Sequence, residues 1–369
     1  MLENKKKLDR VLLYAFFALL VFGLIMIASA GISYSRTRFG DAYFFLKRQL
    51  IGVSIGLVLM YVMQQIKYDF WKKISVPMFG ASIILLILVF IPGIGSRIYG
   101  ASRWIQLGPV SFQPAEMLKL SLILYLATWL ESRKEKIKDF SEGFVPFMII
   151  LIFVSFLLIK QPDVGTLGVV VLTSIAIFFI SGSKLSHLFS MASLGMGALF
   201  VLIKIESYRM DRLMVFLHPE LDPRGIGYQI SQALLAIGSG GFFGVGLGES
   251  MQKFNYLPEP VGDSIFAIIG EELGMLGCLV LVALFAIVVM RGILIAKRAP
   301  DVFSKLTAIG IVSWIFFQSF INIGAITGLV PLTGIPLPFI SYGGTSIIFL
   351  MASVGILLNI SKYTKNQTN

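Results

Sequence analysis

Apolar runs of about 20 residues recur along almost the whole of this sequence, and that pattern excludes most folds. About 20 apolar residues in a helix cross the ~30 Å of hydrocarbon in a bilayer. Within lipid, a chain can satisfy its own backbone only as helices or as a closed barrel. The runs are too long and too continuously apolar for barrel strands, so the chain is expected to be an all-α polytopic membrane protein. Ten transmembrane helices are expected, at about 11–31, 49–66, 75–94, 114–130, 144–160, 164–182, 185–204, 264–290, 306–328 and 341–361. Composition agrees: 56% of the 369 residues are hydrophobic and 14% charged, against roughly one-quarter charged in soluble domains. No polar stretch is long enough for a separate soluble domain, so residues 1–369 are read as one integral-membrane domain.

The net charge of +11 raises the question of a nucleic-acid partner, and its distribution answers against one. With residues 1–10 and 362–369 on the cytoplasmic side, the inside connections hold 18 of the 31 basic residues, most densely at ESRKEKIKDF (131–140). That is the positive-inside pattern, so the excess charge is mainly topological. The start MLENKKKLDR followed by an apolar run and Ala28-Ser29-Ala30 imitates a signal peptide. The run from Val11 to Ile27 is longer than a usual signal core, so an uncleaved first helix is expected. One cysteine, Cys278, allows no intramolecular disulfide. His187 and His218 are too far apart in sequence to suggest a histidine metal site.

One connection breaks the rhythm. Residues 205–262 form a long extracytoplasmic loop between the seventh and eighth spans. Its apolar, glycine-rich composition and the helical spacing of SQALLAI predict partly ordered, short amphipathic or re-entrant pieces. The run AIGSGGFFGVGLGES has the look of a phosphate loop, but no strand precedes it and no GKS or GKT follows, so no nucleotide site is expected. The last outer loop, GLVPLTGIPLPFISYGG (328–344), is also apolar. Non-helical backbone of that kind needs protein or a wet cavity around it.

Ionisable residues near or within spans carry the functional reading. Asp263 lies where the long loop enters the eighth span. Locally it reads as a helix N-cap; at the rim of an outward cavity, partial burial would instead raise its pKa and suit it to accept a proton. Glu271 and Glu272 follow inside the span. Helical periodicity brings Glu271 within ~80° of the Asp263 face and points Glu272 opposite. Either packing bonds or a polar path would account for them. Glu116 and Lys119 are three residues apart and can pair on one helix face, as a structural pair or as the lining of a substrate cavity. Arg103, beside Trp104 on the outer side, could hold a phosphate or sit among headgroups. Asp163 suits a cap for the sixth span, and Arg209 and Arg212 of the long loop are candidates for an anionic headgroup.

Several ordered blocks then carry a resemblance. GASRWIQLG with QPAEMLKLS (100–122), QPDVGT (161–166), FLHPELDPRGIGYQISQALLAIGSGGFFGVGLGESMQKFNYLPEPVGDSIFAIIGEELG (216–274) and NIGAITGLVPLTGIPLPFISYGGTS (322–346) together resemble the SEDS family (FtsW, RodA, SpoVE) of bacterial cell-wall synthesis. QKFNYLPEP and TGIPLPFISYGG look more like the FtsW division branch than the RodA elongation branch. Val261-Gly262, Ala233 and Thr345 depart from the common pattern without removing a charged residue.

The resemblance implies a peptidoglycan glycosyltransferase that polymerises lipid II at the outer face of the cytoplasmic membrane, at the division septum. It places the essential loop aspartate on Asp263 as general base, and the substrate-binding carboxylate and lysine of the fourth span on Glu116 and Lys119. Arg103, Arg209, Arg212 and Lys119 are the candidates for the pyrophosphate, and Lys253 is a further substrate-binding candidate. Trp104, Gln113, Asp163, Gln229, Glu271, Glu272, Ser341, Tyr342, Gly343 and Gly344 fall in the matching blocks as cavity or structural residues. The implied partners are lipid II, a class B penicillin-binding protein and other division membrane proteins, with no nucleotide or nucleic acid. No cofactor is recognisable, and a divalent cation (Mg or Mn) near the pyrophosphate is compatible with the chemistry. A lipid II flippase, a RodA-type elongation enzyme and a transpeptidase scaffold are the competing readings.

Overall fold

A computed structural model describes residues 8–98, 101–107, 110–205, 207–218, 222 and 225–364. A helix occupies each stretch expected to cross the bilayer: α1 (Arg10–Phe39), α2 (Phe44–Gln65), α3 (Tyr68–Leu88), α4 (Pro114–Ser132), α5 (Val145–Lys160), α6 (Val164–Ile180), α7 (Leu185–Ile205), α10 (Ile265–Lys297), α11 (Val302–Ile326) and α12 (Gly344–Ser361). Between α7 and α10 stand α8 (Ser207–Leu217) and α9 (Ile226–Gly240). Among the described residues, 8 helices are long and apolar enough to cross a membrane by length and composition. The other two have visible reasons for falling outside that measure. Helix α4 carries Glu116, Lys119 and Glu131, and α6 has only 17 residues.

The all-α expectation needs one correction. Between α3 and α4 the chain forms a three-stranded antiparallel sheet, β1 (Gly95–Ile98), β2 (Ala101–Leu107) and β3 (Val110–Phe112), in the order β1-β2-β3. Ser96 pairs with Trp104, and Ile105 with Phe112. The segment is short and too polar to span, and a β-meander satisfies its backbone without a helix.

The connections gather at two opposite ends of the bundle. At one end the Asp9 N–H donates to Ser361 Oγ at 3.2 Å, Arg291 grips Asp9 at 2.6 Å, and Lys72 pairs with Glu131 at 2.6 Å. At the other end Tyr34 donates to Glu259 at 3.1 Å, and Thr345 donates to the Ser111 carbonyl at 3.0 Å. Both described termini therefore share one end.

Small residues set the closest helix pair. On α2, Gly52 and Gly56 are four apart, so they lie on one face; Ile347 and Met351 of α12 fill the space that side chains there would occupy. In return, a Cβ at Gly355 of α12 would stand 2.5 Å from the Met60 carbonyl. Without a hydrophobic force between helices in lipid, such close backbone approach is what favours association. Helix α7 is the opposite case. Only His187 and Met191 of it are buried, with the His187 ring seated among Phe140, Phe144 and Phe178. Most of α7 presents its apolar surface outward.

The long loop folds back into the bundle. Helix α10 is interrupted at Gly274, whose φ of 66° and ψ of −166° are not helical. Such a break orphans carbonyls before it and N–H groups after it. The glycine-rich run supplies the partners: Val245 and Gly246 N–H donate to the Glu271 and Glu272 carbonyls at 3.0 and 3.1 Å, while Met275 and Leu276 N–H donate to Gly241 and Phe242 carbonyls at 2.9 and 3.1 Å. A side chain at Gly244 would collide with the Glu272 carbonyl, and one at Gly274 with the Gly244 amide. The run that imitates a phosphate loop is thus a backbone plug for a broken helix.

Candidate active site

Asp263 lies in the turn that enters α10, not on the helix. Ser264 occupies the N-cap position and no side chain caps the helix, so the N-cap reading of Asp263 does not hold. The helical-periodicity argument that related Asp263 to Glu271 and Glu272 fails for the same reason. The turn is clamped from four sides. Tyr34 of α1 holds Glu259; Gln229 of α9 donates to Ser264 Oγ at 3.0 Å; Asn322 of α11 donates to the Asp263 carbonyl at 2.9 Å; and the Tyr342 N–H donates to the Val261 carbonyl at 2.8 Å. Glu259 itself adopts φ 48°, a left-handed conformation that non-glycine residues rarely hold.

The clamps fix the backbone and leave the carboxyl available. Asp263 is half-buried as a residue, yet its Oδ1 is shielded from solvent and has no hydrogen-bond partner. Its Oδ2 faces the loop after α11, 3.8 Å from where a Cβ on Gly334 would stand. Burial pushes the Asp263 pKa up to about 6, with the Glu259 carboxylate adding to the rise, while its own backbone N–H and the nearby Gln229 and Ser264 side chains pull against it. A carboxylate in that range is mostly ionised near neutral pH and still basic enough to take a proton.

Glu116 and Lys119 pair at 2.9 Å and are 2% and 5% exposed. Lys119 also donates to Gln318 Oε1 at 2.9 Å and lies over the Trp314 ring at 4.7 Å. The void adjoining Lys119 is about 10 Å³, room for about one water. Gln318 passes the connection on: it accepts from Trp314 Nε1 at 2.7 Å and donates to the Pro336 carbonyl at 2.9 Å. One helical turn along, Asn322 donates to Ile335 at 2.8 Å as well as to Asp263. Two α11 amides therefore join the α4 ion pair to the Asp263 turn through the 335–336 backbone. Sequence reasoning missed both. The available signal was two amides at i and i+4 on an apolar helix, where unpaired polar groups are costly.

The other sequence candidates separate into groups. Glu271 accepts from Ser250 Oγ, and from Met251 N at 2.9 Å and Gln252 N at 3.4 Å. Glu272 is fully buried and accepts from Ser29 Oγ at 2.7 Å and Lys253 Nζ at 2.9 Å. These carboxylates fasten the 248–254 segment to α10, which favours packing bonds over a polar path. Lys253, 3% exposed and also bonded to the Gly248 carbonyl, is a buried structural partner rather than a substrate contact. Arg103 donates to the Gln161 and Pro162 carbonyls and lies 3.9 Å from Asp163, so its fork holds that turn rather than standing open to a phosphate. Asp163 accepts from Thr166 N at 3.3 Å as the α6 cap, with Gln113 at 3.4 Å.

Trp104 belongs to β2, where its carbonyl accepts from Ser96 Oγ at 3.3 Å. Ser341, Tyr342, Gly343 and Gly344 form the turn into α12, with Gln49 of α2 donating to the Ser341 carbonyl at 3.4 Å and accepting from Gly343 N at 3.1 Å. Arg212 of α8 donates to the Leu332 carbonyl at 3.2 Å, two residues from Gly334 on the loop that Asp263 Oδ2 faces. Arg209 is on α8, but its side chain lies outside the described residues. Among the described residues, no group of three His, Cys, Asp or Glu gathers as a metal cage.

A family model described as "Cell cycle protein", covering FtsW, RodA and SpoVE, matches residues 10–366. The chain belongs to this family. Stage V sporulation protein E of Bacillus subtilis (strain 168) is 43% identical over 366 residues, 99% of this chain and 100% of that one. A probable peptidoglycan glycosyltransferase FtsW of Trichlorobacter lovleyi is 42% identical over 353 residues, 96% of this chain and 93% of that one. A chain of a peptidoglycan synthase complex superposes with a TM-score of 0.81 at 28% identity, over 96% of this chain and 97% of that chain. RodA of Thermus thermophilus gives a TM-score of 0.72 at 28% identity, over 98% of each chain. The FtsW/RodA/SpoVE resemblance read from the sequence blocks is therefore sound, and apolar helices together with family membership make this an integral membrane protein.

Proposed function

We propose that this protein is a peptidoglycan glycosyltransferase that joins lipid II units into glycan strands, with Asp263 as the general base. The observation that carries the reading is the uncapped, partly shielded Asp263 carboxyl, its pKa raised to about 6, held on a turn clamped by α1, α9, α11 and the approach to α12. Relatives named as peptidoglycan glycosyltransferases over nearly the full length support the reaction class.

Asp263 removes the proton from the 4-hydroxyl of an acceptor GlcNAc as that oxygen attacks the anomeric carbon of a donor MurNAc. The anomeric C–O bond to phosphate breaks, and its electron pair leaves with undecaprenyl pyrophosphate. A single in-line displacement inverts the anomeric centre. Arg212 of α8, bonded to the loop that the Asp263 carboxyl faces, is the candidate cation for the pyrophosphate. Glu116 and Lys119 act as positioning residues, holding the Asp263 turn through Gln318 and Asn322. The polyprenyl tails stay in the bilayer, and the end bearing Asp263 faces out of the cell. Ten crossings then put residues 205–262 outside and both termini in the cytoplasm, in accord with the basic inside connections. Names of the FtsW relatives and the synthase-complex neighbour support a division-site location and a class B penicillin-binding protein partner.

Glu271 and Glu272, which a flippase path would use, are already committed to the 248–254 segment, and this favours synthesis over transport. The test is purified protein with labelled lipid II, with and without the cognate class B penicillin-binding protein. Glycan ladders are expected. Translocation of lipid II without any chain formation would instead make the protein a transporter.

A further inference from the structure

The end of the bundle away from Asp263 holds a cavity of about 350 Å³, lined by residues that include Asp9, Arg10, Val11, Arg291, Leu294 and Arg298. Three arginines and one carboxylate therefore line it. That carboxylate is already engaged: Arg291 Nε and Nη2 reach Asp9 Oδ2 at 3.0 and 2.6 Å, and the Leu12 N–H donates to Asp9 Oδ1 at 3.0 Å. Arg10 and Arg298 have no side-chain hydrogen bond or ion pair with another described residue. The neighbouring sequence does not supply the missing charge, since residues 1–7 carry three lysines against one glutamate.

Basic residues at a membrane surface are ordinarily hydrated and serve topology alone. Here two of them converge on a concave site rather than scatter along a loop. Guanidinium forks match phosphate oxygens in geometry as well as charge. The cavity also has an apolar lining from Leu8, Val11, Leu294 and Ile295, and Val11 is 49% exposed on the α1 surface. A polar mouth above an apolar, outward-facing wall fits a molecule with a phosphate head and acyl chains.

We infer that this cavity binds the phosphate of an anionic phospholipid from the adjacent leaflet, held by Arg10 and Arg298, with its acyl chains along Val11 and Leu294. The site rests on the bundle end defined by Asp9 and Ser361, and it stands whichever compartment that end faces and whatever reaction Asp263 performs. Basic pockets between membrane helices are a recognised form of headgroup site.

Native mass spectrometry of the full-length protein, titrated with phosphatidylglycerol or with phosphatidylcholine of the same chains, tests the inference. Wild type should retain phosphatidylglycerol preferentially, and excess inorganic phosphate should not displace it. Replacing both cations (R10A/R298A) should weaken phosphatidylglycerol binding on the order of 30-fold and phosphatidylcholine binding, whose choline offsets the phosphate charge, by much less, with R10A or R298A alone costing phosphatidylglycerol about fivefold. Should the double variant fail to fold, the single variants give the same reading. Equal retention of the two lipids by wild type, or wild-type phosphatidylglycerol affinity in folded variants, would overturn the site. Displacement by inorganic phosphate would make the ligand a free anion and overturn the lipid assignment.

Discussion

Replacing Asp263 by Asn keeps the shape of the side chain and removes its charge, so its effect on stability can be worked from the site. The carboxyl rises from 3.8 to about 6 in the folded protein. Folding therefore favours the protonated form. The contribution of Asp263 is fully present below pH 3.8 and is lost as pH rises through about 6. Near pH 7.5 the ionised group costs roughly 3 kcal/mol relative to a neutral one. Asp263→Asn should stabilise the protein by on the order of 2–3 kcal/mol at that pH, read as a melting temperature several degrees higher. The gain should shrink as pH falls through 6 and vanish near pH 4. Thermal unfolding of wild type and variant across pH 4–8 in one detergent gives the answer. An Asn variant that is less stable at neutral pH, by an amount that does not change with pH, would show that Asp263 is a structural hydrogen-bond acceptor and refute the account of its raised pKa.

Other expectations concern the supports of the site. Polymerisation should fall below about pH 6 along a one-proton limb, following the Asp263 carboxyl; a flat profile down to pH 5 would contradict its role as base. Lys253→Met strands the fully buried Glu272 and should cost about 3–5 kcal/mol in a melting assay, with much of that recovered when Glu272→Leu is added. Gly244→Ala puts a methyl group into the Glu272 carbonyl and should lower the yield of folded protein more than Gly238→Ala, where nothing stands within 4 Å. Gln318→Leu removes the partner of Lys119, Trp314 and Pro336. It should cost about 1–3 kcal/mol per stranded group and lower the turnover rate more than lipid II binding, because Gln318 acts through the Asp263 turn.

The helices were legible because each span announces itself by a run of apolar residues that no fold can hide. The small sheet was not, since GSRIYGASRWIQLGPVSF (95–112) has no clean alternation of apolar and polar residues to mark its strands, although two residues separate each from the next. Asp263 was legible as a residue out of place, an acid at the mouth of an apolar helix, but its geometry was not. Local sequence favoured a cap, and only the tertiary clamps from Tyr34, Gln229, Asn322 and Tyr342 show that the turn stops before α10 begins. Glu271 and Glu272 looked like one feature and have separate partners, one in the Ser250 hydroxyl and the 251–252 backbone and the other in Lys253 and Ser29. Those partners lie 19 to 243 residues away, beyond any local pattern. The break at Gly274 escaped notice because a glycine within an apolar run reads equally well as tolerated helix.

Chain formation from labelled lipid II by purified wild type and Asp263→Asn, each with the same penicillin-binding protein and normalised to lipid II binding, tests the central claim most directly. Wild type is predicted to give glycan ladders, and the variant to bind lipid II and give none. Ladders from the variant at the wild-type rate would contradict the assignment of Asp263 as the base.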